Sequence, residues 1–261
     1  MRLQPGVPAP RSRRTMDIRH SVAPVTAPND TRRTGAVLLA ISGSGALDSG
    51  GFDPFWAPFA GLPLLAQSVS IFERAPNIAE IVLVVAPDRL ADVAALATQQ
   101  SWRRIRAIAT SSSSRRAVYR LALDTLSRDI DWIVIHDAAR PLIQPGMIAD
   151  GLAALSASSP ECAAAAASIP VNETLKRVEN GRVVETPTRS QLRLLQTPEV
   201  VVRAALVAAL EDAPAELDPP DAATLVVAAN FRVALFPGSP ANFRVASPAD
   251  LALAETLLRQ R

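Results

Sequence analysis

Short apolar runs alternate along the chain with longer segments of helical spacing. Six runs of β-branched, aliphatic and small residues predict strands, at residues 36–41, 81–86, 105–109, 133–135, 163–169 and 233–236. Segments between them predict helices, because their apolar residues recur every three or four positions, at residues 63–74, 90–100, 117–126, 145–155, 200–211 and from Pro248 onward. The alternation of the two patterns predicts an α/β fold.

One segment departs from this alternation. Residues 174–186 contain two runs of alternating apolar and polar residues, separated by Asn180-Gly181. Asn-Gly between such runs is the strongest short-range signal for a β-hairpin with a type I′ turn. A two-stranded ribbon is marginally stable alone in water. We therefore expect an arm at about residues 171–190 that packs against a partner.

The candidate chemistry is concentrated in Trp132–Pro141, which reads WIVIHDAARP. The apolar run ends at His136-Asp137, so a carboxylate stands where a buried parallel strand exposes its carboxyl end, the edge at which α/β sheets bind ligands. Two alanines leave room for a ligand, and Arg140 supplies a planar cation. The residues alone leave two interpretations open: a ligand site, or Asp137 capping the next turn with Arg140 as its surface partner.

Two further segments have the composition of phosphate-binding loops. The first predicted strand leads into residues 42–45, where serine and glycine alternate and backbone N–H groups can face a phosphate. A dinucleotide-binding fingerprint is excluded because Asp48 stands where it requires glycine. The four serines at 111–114 precede a predicted helix. They are compatible with phosphate binding and also with a plain flexible loop.

Charge is distributed unevenly along the chain. Residues 1–34 carry seven arginines and two aspartates, whereas the rest of the chain carries 20 basic and 23 acidic side chains. The body is therefore not a basic nucleic-acid-binding domain. Residues 1–34 are rich in Arg, Pro, Ser and Thr and lack a hydrophobic period, which predicts a disordered tail. A transit peptide and a start site at Met16 are the alternatives for this tail.

Length and hydropathy bound the class of protein. The chain has 261 residues, 49% of them hydrophobic, enough for one large core, and we assign residues 35–261 to one domain. No uncharged apolar run reaches the ~18 residues of a membrane span. Cys162 is the only cysteine, which excludes an internal disulfide and a cysteine-based zinc site. These features predict a cytoplasmic protein without a membrane segment.

Several motifs occur in an order that is similar to one enzyme family. The motifs are GLPLL at 61–65, HDAARP at 136–141, ETLK at 173–176, LQTPE at 195–199 and NFRV at 242–245. Together they resemble 2-C-methyl-D-erythritol 4-phosphate cytidylyltransferases over about residues 36–258. The resemblance implies a doubly wound, mostly parallel, Rossmann-like nucleotidyltransferase sheet with a protruding β-hairpin arm.

The resemblance also implies a reaction. Such enzymes transfer CMP from CTP to 2-C-methyl-D-erythritol 4-phosphate, or here to a related polyol phosphate, and release pyrophosphate for isoprenoid precursor biosynthesis. It implies Mg²⁺ bound with CTP, and a homodimer in which each β-arm clasps the other subunit. Neither a nucleic acid nor a membrane is expected as a partner.

Matching positions carry the implied site residues. The catalytic pair is Arg244 and Asp137, and Asp137 is the one side chain considered for the metal. The nucleotide-binding residues are Gly43, Ser44, Gly45, Ser112, Asp137 and Ala138. The residues for the polyol phosphate are Arg140, Thr174, Lys176 and Arg189, of which Thr174 and Arg189 are expected to reach across the dimer.

The chain departs from the family pattern in its first loop. Ala46-Leu47 replace an arginine, Phe55 replaces a lysine, and Arg244 replaces another lysine. Loss of one preorganised charge stabiliser costs about 3–4 kcal/mol, so two independent losses would slow turnover roughly 10⁴- to 10⁶-fold. Two hypotheses follow: an active enzyme in which Arg115 or Arg116 compensates, or a non-catalytic relative that binds nucleotide or a partner subunit.

Overall fold

A seven-stranded sheet organises the computed structural model, which describes residues 32–41, 51–110 and 114–260. The strands in chain order are β1 (Thr34–Ala40), β2 (Pro58–Phe59), β3 (Leu62–Pro63), β4 (Glu80–Val85), β5 (Ile105–Ala109), β6 (Trp132–Asp137), β7 (Cys162–Pro170), β8 (Arg177–Glu179), β9 (Arg182–Glu185), β10 (Arg193–Val202) and β11 (Arg232–Pro237). The sheet order is β11-β7-β10-β6-β1-β4-β5, and every pair is parallel except those formed by β10.

Helices cover both faces of this sheet. They are α1 (Leu64–Arg74), α2 (Leu90–Gln99), α3 (Arg115–Thr125), α4 (Gly146–Ala157), α5 (Arg203–Asp212), α6 (Ala222–Ala228) and α7 (Pro248–Arg259). Buried residues of α1, α2 and α4 share one core with the sheet, and those of α3, α5 and α6 share the core on the opposite face. Helix α7 packs in a smaller third cluster. The predicted doubly wound, mostly parallel architecture is confirmed.

The central strands are buried on both faces, as their composition predicts. Ile133, Val134 and Ile135 of β6 are at most 1% exposed, and β6 pairs in parallel with β1. Because both strands run the same way between the two helical layers, their carboxyl ends emerge together at one edge of the sheet. That edge holds His136 and Asp137.

The strand β10 and the start of α5 correct the sequence-based prediction. A helix was expected over residues 200–211, but Val200–Val202 complete β10 and the helix begins at Arg203. Three consecutive valines favour a strand, and Val200 and Val201 are fully buried between β6 and β7. The register shifts between Gln196 and Glu199, around a cis Thr197–Pro198 bond.

The hairpin predicted around Asn180-Gly181 is present. β8 and β9 pair antiparallel, and the turn residues have φ values of 49° and 73°, as a type I′ turn requires. All residues of both strands are exposed. At the other end of the sequence, residues 1–31 of the predicted tail lie outside the described residues, and Thr34 already belongs to β1. In the described parts of the chain, no helix has the length and apolarity needed to cross a membrane.

Candidate active site

A cavity of about 220 Å³ opens at the carboxyl ends of β1 and β6. The first residue of α3, the irregular part of β10, the segment before α6 and the segment after β11 complete its wall. The charged residues that line it are Arg115, Asp137, Arg140, Glu199, Asp221 and Arg244. Polar side chains therefore converge where the fold class places ligands.

Asp137 serves both interpretations that the sequence left open. Its Oδ1 accepts a hydrogen bond from the N–H of Ala139 at 3.0 Å, which caps the turn. Its Oδ2 lies 2.8 Å from the Nε of Arg244, with the Asp137 side chain 14% exposed. This N–H is not aligned on the oxygen, so the contact is an ion pair without an aligned hydrogen bond. The carboxylate is thus held on one side and free to change partner on the other.

Arg140 is not the surface partner of Asp137 that one interpretation expected. Its Nη1 donates to the carbonyl oxygen of Asn242 at 2.8 Å, and its Nε is buried without a hydrogen-bond partner in the described chain. Burial lowers the pKa of the Arg140 guanidinium, and the charge of Asp137 opposes that shift. A buried cation with an unpaired donor is suited to an anionic ligand.

The segment that carries Arg244 is bonded to its surroundings on both sides. The N–H of Val245 donates to the carbonyl of Ala139 at 2.8 Å. Asn242 is fully buried, and its side-chain amide donates to the carbonyl of Thr197 at 2.8 Å. Arg244 is therefore positioned by its neighbours, the backbone of Val245 bonded to the turn after β6 and the side chain of Asn242 bonded to β10.

A buried neutral histidine orders the end of β6. The Nε2 of His136 lies 3.3 Å from the carbonyl oxygen of Arg140, and Nδ1 lies 3.0 Å from Oγ1 of Thr197. A carbonyl only accepts, so Nε2 carries the proton and Nδ1 accepts from the threonine hydroxyl. Burial lowers the pKa of His136 to about 4, which keeps the ring neutral. The same Oγ1 accepts the N–H of Asp137 at 3.0 Å.

Glu199 brings a buried carboxyl group to the cavity. It is 2% exposed and accepts hydrogen bonds from the N–H groups of Ala222 and Ala223 at 3.1 and 3.0 Å. Burial, followed by the nearby charge of Asp221, raises the pKa of Glu199 to about 7, against the effect of the two N–H donors. Burial also raises the pKa of Tyr119, which lines the same cavity, and the charge of Glu199 adds to this.

Sequence reasoning missed Thr197, Glu199 and Asn242 as site-building residues. The signal for Glu199 is a charged residue directly before three valines, inside what proves to be a buried strand. LQTPE was matched to a family motif but was given no role. The irregular strand that brings Thr197 and Glu199 together has no local sequence pattern that predicts it.

The predicted nucleotide-binding residues fall into two groups. Asp137 lines the cavity, and Ala138 next to it is fully buried, with its N–H donating to the carbonyl of Leu39 at 3.0 Å. The others lie outside the described residues: Gly43, Ser44, Gly45 and Ser112. Phe55 is 2% exposed and packs in the core, so this position contributes no charge to the cavity.

The predicted polyol-phosphate residues are not brought together within one chain. Arg140 lines the cavity, whereas Thr174, Lys176 and Arg189 are exposed in the arm region and are absent from the cavity wall. The Nζ of Lys176 donates to Oγ1 of Thr186 at 2.7 Å, and Nη1 of Arg189 donates to the carbonyl of Asn172 at 3.2 Å. These contacts order the arm locally.

Comparison with known proteins identifies the family. The family model described as 2-C-methyl-D-erythritol 4-phosphate cytidylyltransferase matches residues 36–260. A protein of that name from Dehalococcoides mccartyi (strain CBDB1) is 33% identical over 229 residues, which are 87% of this chain and 97% of the relative. One from Cereibacter sphaeroides (strain KD131) is 36% identical over 226 residues, 86% of this chain and 97% of the relative.

Solved structures agree with this result. The cytidylyltransferase of Thermus thermophilus is 27% identical, with a TM-score of 0.65, and the alignment covers 85% of this chain and 98% of that one. The 4-diphosphocytidyl-2C-methyl-D-erythritol synthase of Anaerococcus prevotii shares the fold with a TM-score of 0.76 at 21% identity, over 89% of this chain and 100% of that one. The chain belongs to the 2-C-methyl-D-erythritol 4-phosphate cytidylyltransferase family of nucleotidyltransferases.

Proposed function

We propose that the protein transfers the cytidylyl group of CTP to 2-C-methyl-D-erythritol 4-phosphate, or to a related polyol phosphate, in isoprenoid precursor biosynthesis. The observation that carries this proposal is the cavity itself, where Asp137, Arg140 and Arg244 stand together at the carboxyl edge of the sheet. Family membership supplies the reaction class. The non-catalytic alternative is not favoured, since the relatives that match most of the chain are named as the enzyme.

The reaction joins two phosphates without a proton-transfer step. An oxygen of the polyol phosphate attacks the α-phosphorus of CTP, and the bond from that phosphorus to the bridging oxygen of the β-phosphate breaks. Pyrophosphate leaves with the bonding electron pair. Because the nucleophile is already an anion, the protein's task is to position the two phosphates and to offset the charge on their oxygens.

The two arginines Arg140 and Arg244 have different roles in this scheme. Arg244 faces the α-phosphate and stabilises the charge that develops there when it exchanges the Asp137 carboxylate for phosphate oxygens. Arg140 holds the polyol phosphate, because its donor is buried and its position is set by Asn242. The ion pair of Arg244 with Asp137 keeps both charges in place before the substrates bind.

Asp137 is suited to a magnesium ion that binds with the nucleotide. The described residues contain no cluster of three His, Cys, Asp or Glu side chains that could hold a metal alone. Mg²⁺ at nucleotide sites typically takes one or two carboxylates and completes its shell with phosphate oxygens and water, so a single carboxylate fits. The ion supplies charge neutralisation along the triphosphate.

We propose that two copies of the chain pair through their arms and complete the polyol-phosphate site. The arm carries four exposed aliphatic side chains, Leu175, Val178, Val183 and Val184, which are 40 to 61% exposed. Thr174, Lys176 and Arg189 lie on or beside it, away from the cavity of their own chain.

We place the enzyme in the cytoplasm, since a chain with one cysteine needs no oxidising compartment.

The decisive experiment measures pyrophosphate release from CTP, Mg²⁺ and 2-C-methyl-D-erythritol 4-phosphate, with Asp137→Ala as the control. Release that the substitution abolishes is the expected result. A folded protein that binds CTP in calorimetry without releasing pyrophosphate would favour the non-catalytic relative. A protein that neither releases pyrophosphate nor binds CTP would share the fold of the family without its activity.

A further inference from the structure

Three arginines of the cavity share an unusual feature. Arg115, Arg140 and Arg244 each line it, and each has one buried guanidinium nitrogen that makes no aligned hydrogen bond in the described chain, namely Nη1, Nε and Nε. Of these three nitrogens, only that of Arg244 has an ion-pair partner, Oδ2 of Asp137 at 2.8 Å. A buried donor without a partner costs free energy, so native proteins rarely leave one unless a ligand or water supplies the acceptor. Two donors without a partner, on Arg115 and Arg140, and a third on Arg244 that can exchange its partner indicate an anionic ligand with several oxygens.

Arg115 differs from its neighbour Arg116 in what its side chain contacts. Adjacent residues on a helix point in different directions. Arg116 donates to three carbonyl oxygens at the end of α5, those of Leu210, Ala213 and Pro214, at 3.0, 2.8 and 2.7 Å. The two terminal nitrogens of Arg116 are therefore committed to the fold, and its Nε, although also buried without a hydrogen-bond partner in the described chain, belongs to a residue that does not line the cavity. Arg115 points into the cavity wall instead, beside Tyr119 one turn later.

The carboxylates of the cavity are bonded to groups other than Arg115. Asp137 is paired with Arg244, Asp221 accepts the N–H of Thr224 at 2.7 Å, and Glu199 accepts two N–H groups of α6. The described chain contains no carboxylate in ion-pair contact with Arg115, although its charge acts on that of Glu199. The guanidinium is near negative charge but bonded to none of it.

We propose that Arg115 binds the phosphate chain of the nucleotide and supplies a cation that the first loop of this chain does not provide at Phe55. This assignment rests on the proposed cytidylyl transfer and extends it to a residue outside the matched motifs. Residue 115 opens α3, and Ser114 caps the helix by accepting the N–H of Ala117, so the backbone that carries the guanidinium is held in place. A planar fork at this position donates to two phosphate oxygens at once.

The test compares CTP affinity, measured by calorimetry with Mg²⁺, among the wild-type chain and three variants. Arg115→Gln should bind CTP about 10- to 100-fold more weakly, because this factor corresponds to the free energy of a hydrogen bond to a charged group. Arg115→Lys keeps the charge without the fork, and we expect about 3- to 10-fold weaker binding. Arg120→Gln removes the same charge from the same helix at a residue outside the cavity wall, where Nη2 donates to the carbonyl of Leu210 at 3.0 Å, and should bind CTP like the wild type.

Steady-state kinetics separate a phosphate contact from a structural role. Arg115→Gln should raise the KM for CTP and leave the KM for the polyol phosphate unchanged, with a melting temperature close to that of Arg120→Gln. Wild-type CTP affinity in Arg115→Gln would overturn the proposal. If that variant does not fold, Arg115→Lys decides, and wild-type affinity there would overturn it equally.

The proposed reaction and the role of Arg115 fail in different ways. A wild-type chain that binds CTP but releases no pyrophosphate refutes the reaction, while the affinity comparison still decides whether Arg115 contacts the phosphates. A wild-type chain that releases pyrophosphate with unchanged CTP affinity in both Arg115 variants refutes the role of Arg115 and leaves the reaction in place.

Discussion

The end of β6 and the β-arm both carry family motifs, but the first is buried and the second is exposed. At the end of β6, His136 is fully buried, and Asp137 and Arg140 are held by hydrogen bonds to β10 and to Asn242. In the arm, every residue of both strands is exposed, and the bonds are local. The first region is complete within one chain. The second is the surface that we propose a second copy of the chain covers.

The largest effect should come from removing the cation of the self-contained region. Arg244→Ala should lower kcat about 10²- to 10³-fold, because a preorganised donor at the developing charge is worth that much. CTP and the polyol phosphate should still bind, and sedimentation should be unchanged, since Arg244 is not part of the arm. A variant that keeps wild-type kcat would show that Arg244 does not face the reacting phosphate. Arg232→Ala, an exposed arginine paired with Glu161, is the matched control.

The next effect concerns the carboxyl group buried in the same region. The pKa of Glu199 is raised from 4.5 to about 7, so the folded chain keeps this proton at pH values where the unfolded chain has lost it. Wild-type stability should therefore fall, relative to Glu199→Gln, as pH rises from about 4.5 to about 7. The difference should reach roughly 3 kcal/mol above pH 7.

Denaturant titrations across this pH range measure that difference. The control is Glu185→Gln in the arm, where an exposed ion pair with Arg177 contributes about 0–1 kcal/mol. A pH-independent difference between Glu199→Gln and the wild type would contradict the raised pKa. Equal behaviour of the two glutamates would remove the contrast between the regions.

Negative charges introduced into the arm should have the smallest effect on the single folded chain and the largest effect on dimer formation. Val178 and Val183 face each other across the hairpin and are 54 and 61% exposed. The double variant Val178→Asp with Val183→Asp should sediment as a monomer at micromolar concentration and raise the KM for the polyol phosphate about 10-fold. CTP affinity should not change, because no residue of the arm lines the cavity in the described chain.

Val207→Asp makes the same chemical change at an exposed valine of α5 and serves as the control. It should leave sedimentation as in the wild type. A wild-type chain that is already monomeric at these concentrations would refute the proposed pairing. A double variant that loses CTP affinity would show that the arm also shapes the nucleotide site.

Sequence reasoning predicted the elements with a strong local signal. The central strands, the Asn180-Gly181 hairpin and the position of Asp137 at a strand end all follow from hydrophobic periodicity and turn chemistry. The start of α5 was misplaced because residues 200–202 satisfy a helical period as readily as a strand, and only their pairing with β6 and β7 decides. Local patterns carry no information on such pairing.

The site was predicted where motif residues themselves face the cavity and was missed where tertiary contacts bring residues together. Asp137, Arg140 and Arg244 line one cavity, and their roles there stay a prediction. The sequence alone does not distinguish Arg115 from Arg116 as the compensating cation. The structure distinguishes them, because the carbonyl groups at the end of α5 accept hydrogen bonds from Arg116. Glu199 reaches the cavity from β10, a strand that the sequence pattern does not predict. The missing information was long-range packing in each case.

The hydrogen bonds that shape the cavity also join distant parts of the chain. The bond from Arg140 to Asn242 spans 102 residues, and the bond from Asp137 to Thr197 spans 60. Because these partners come from distant parts of the chain, the cavity requires the folded domain, and no short fragment of the chain contains it. A ligand bound there is therefore linked to the global unfolding equilibrium, and its concentration should shift the denaturation midpoint of the entire domain.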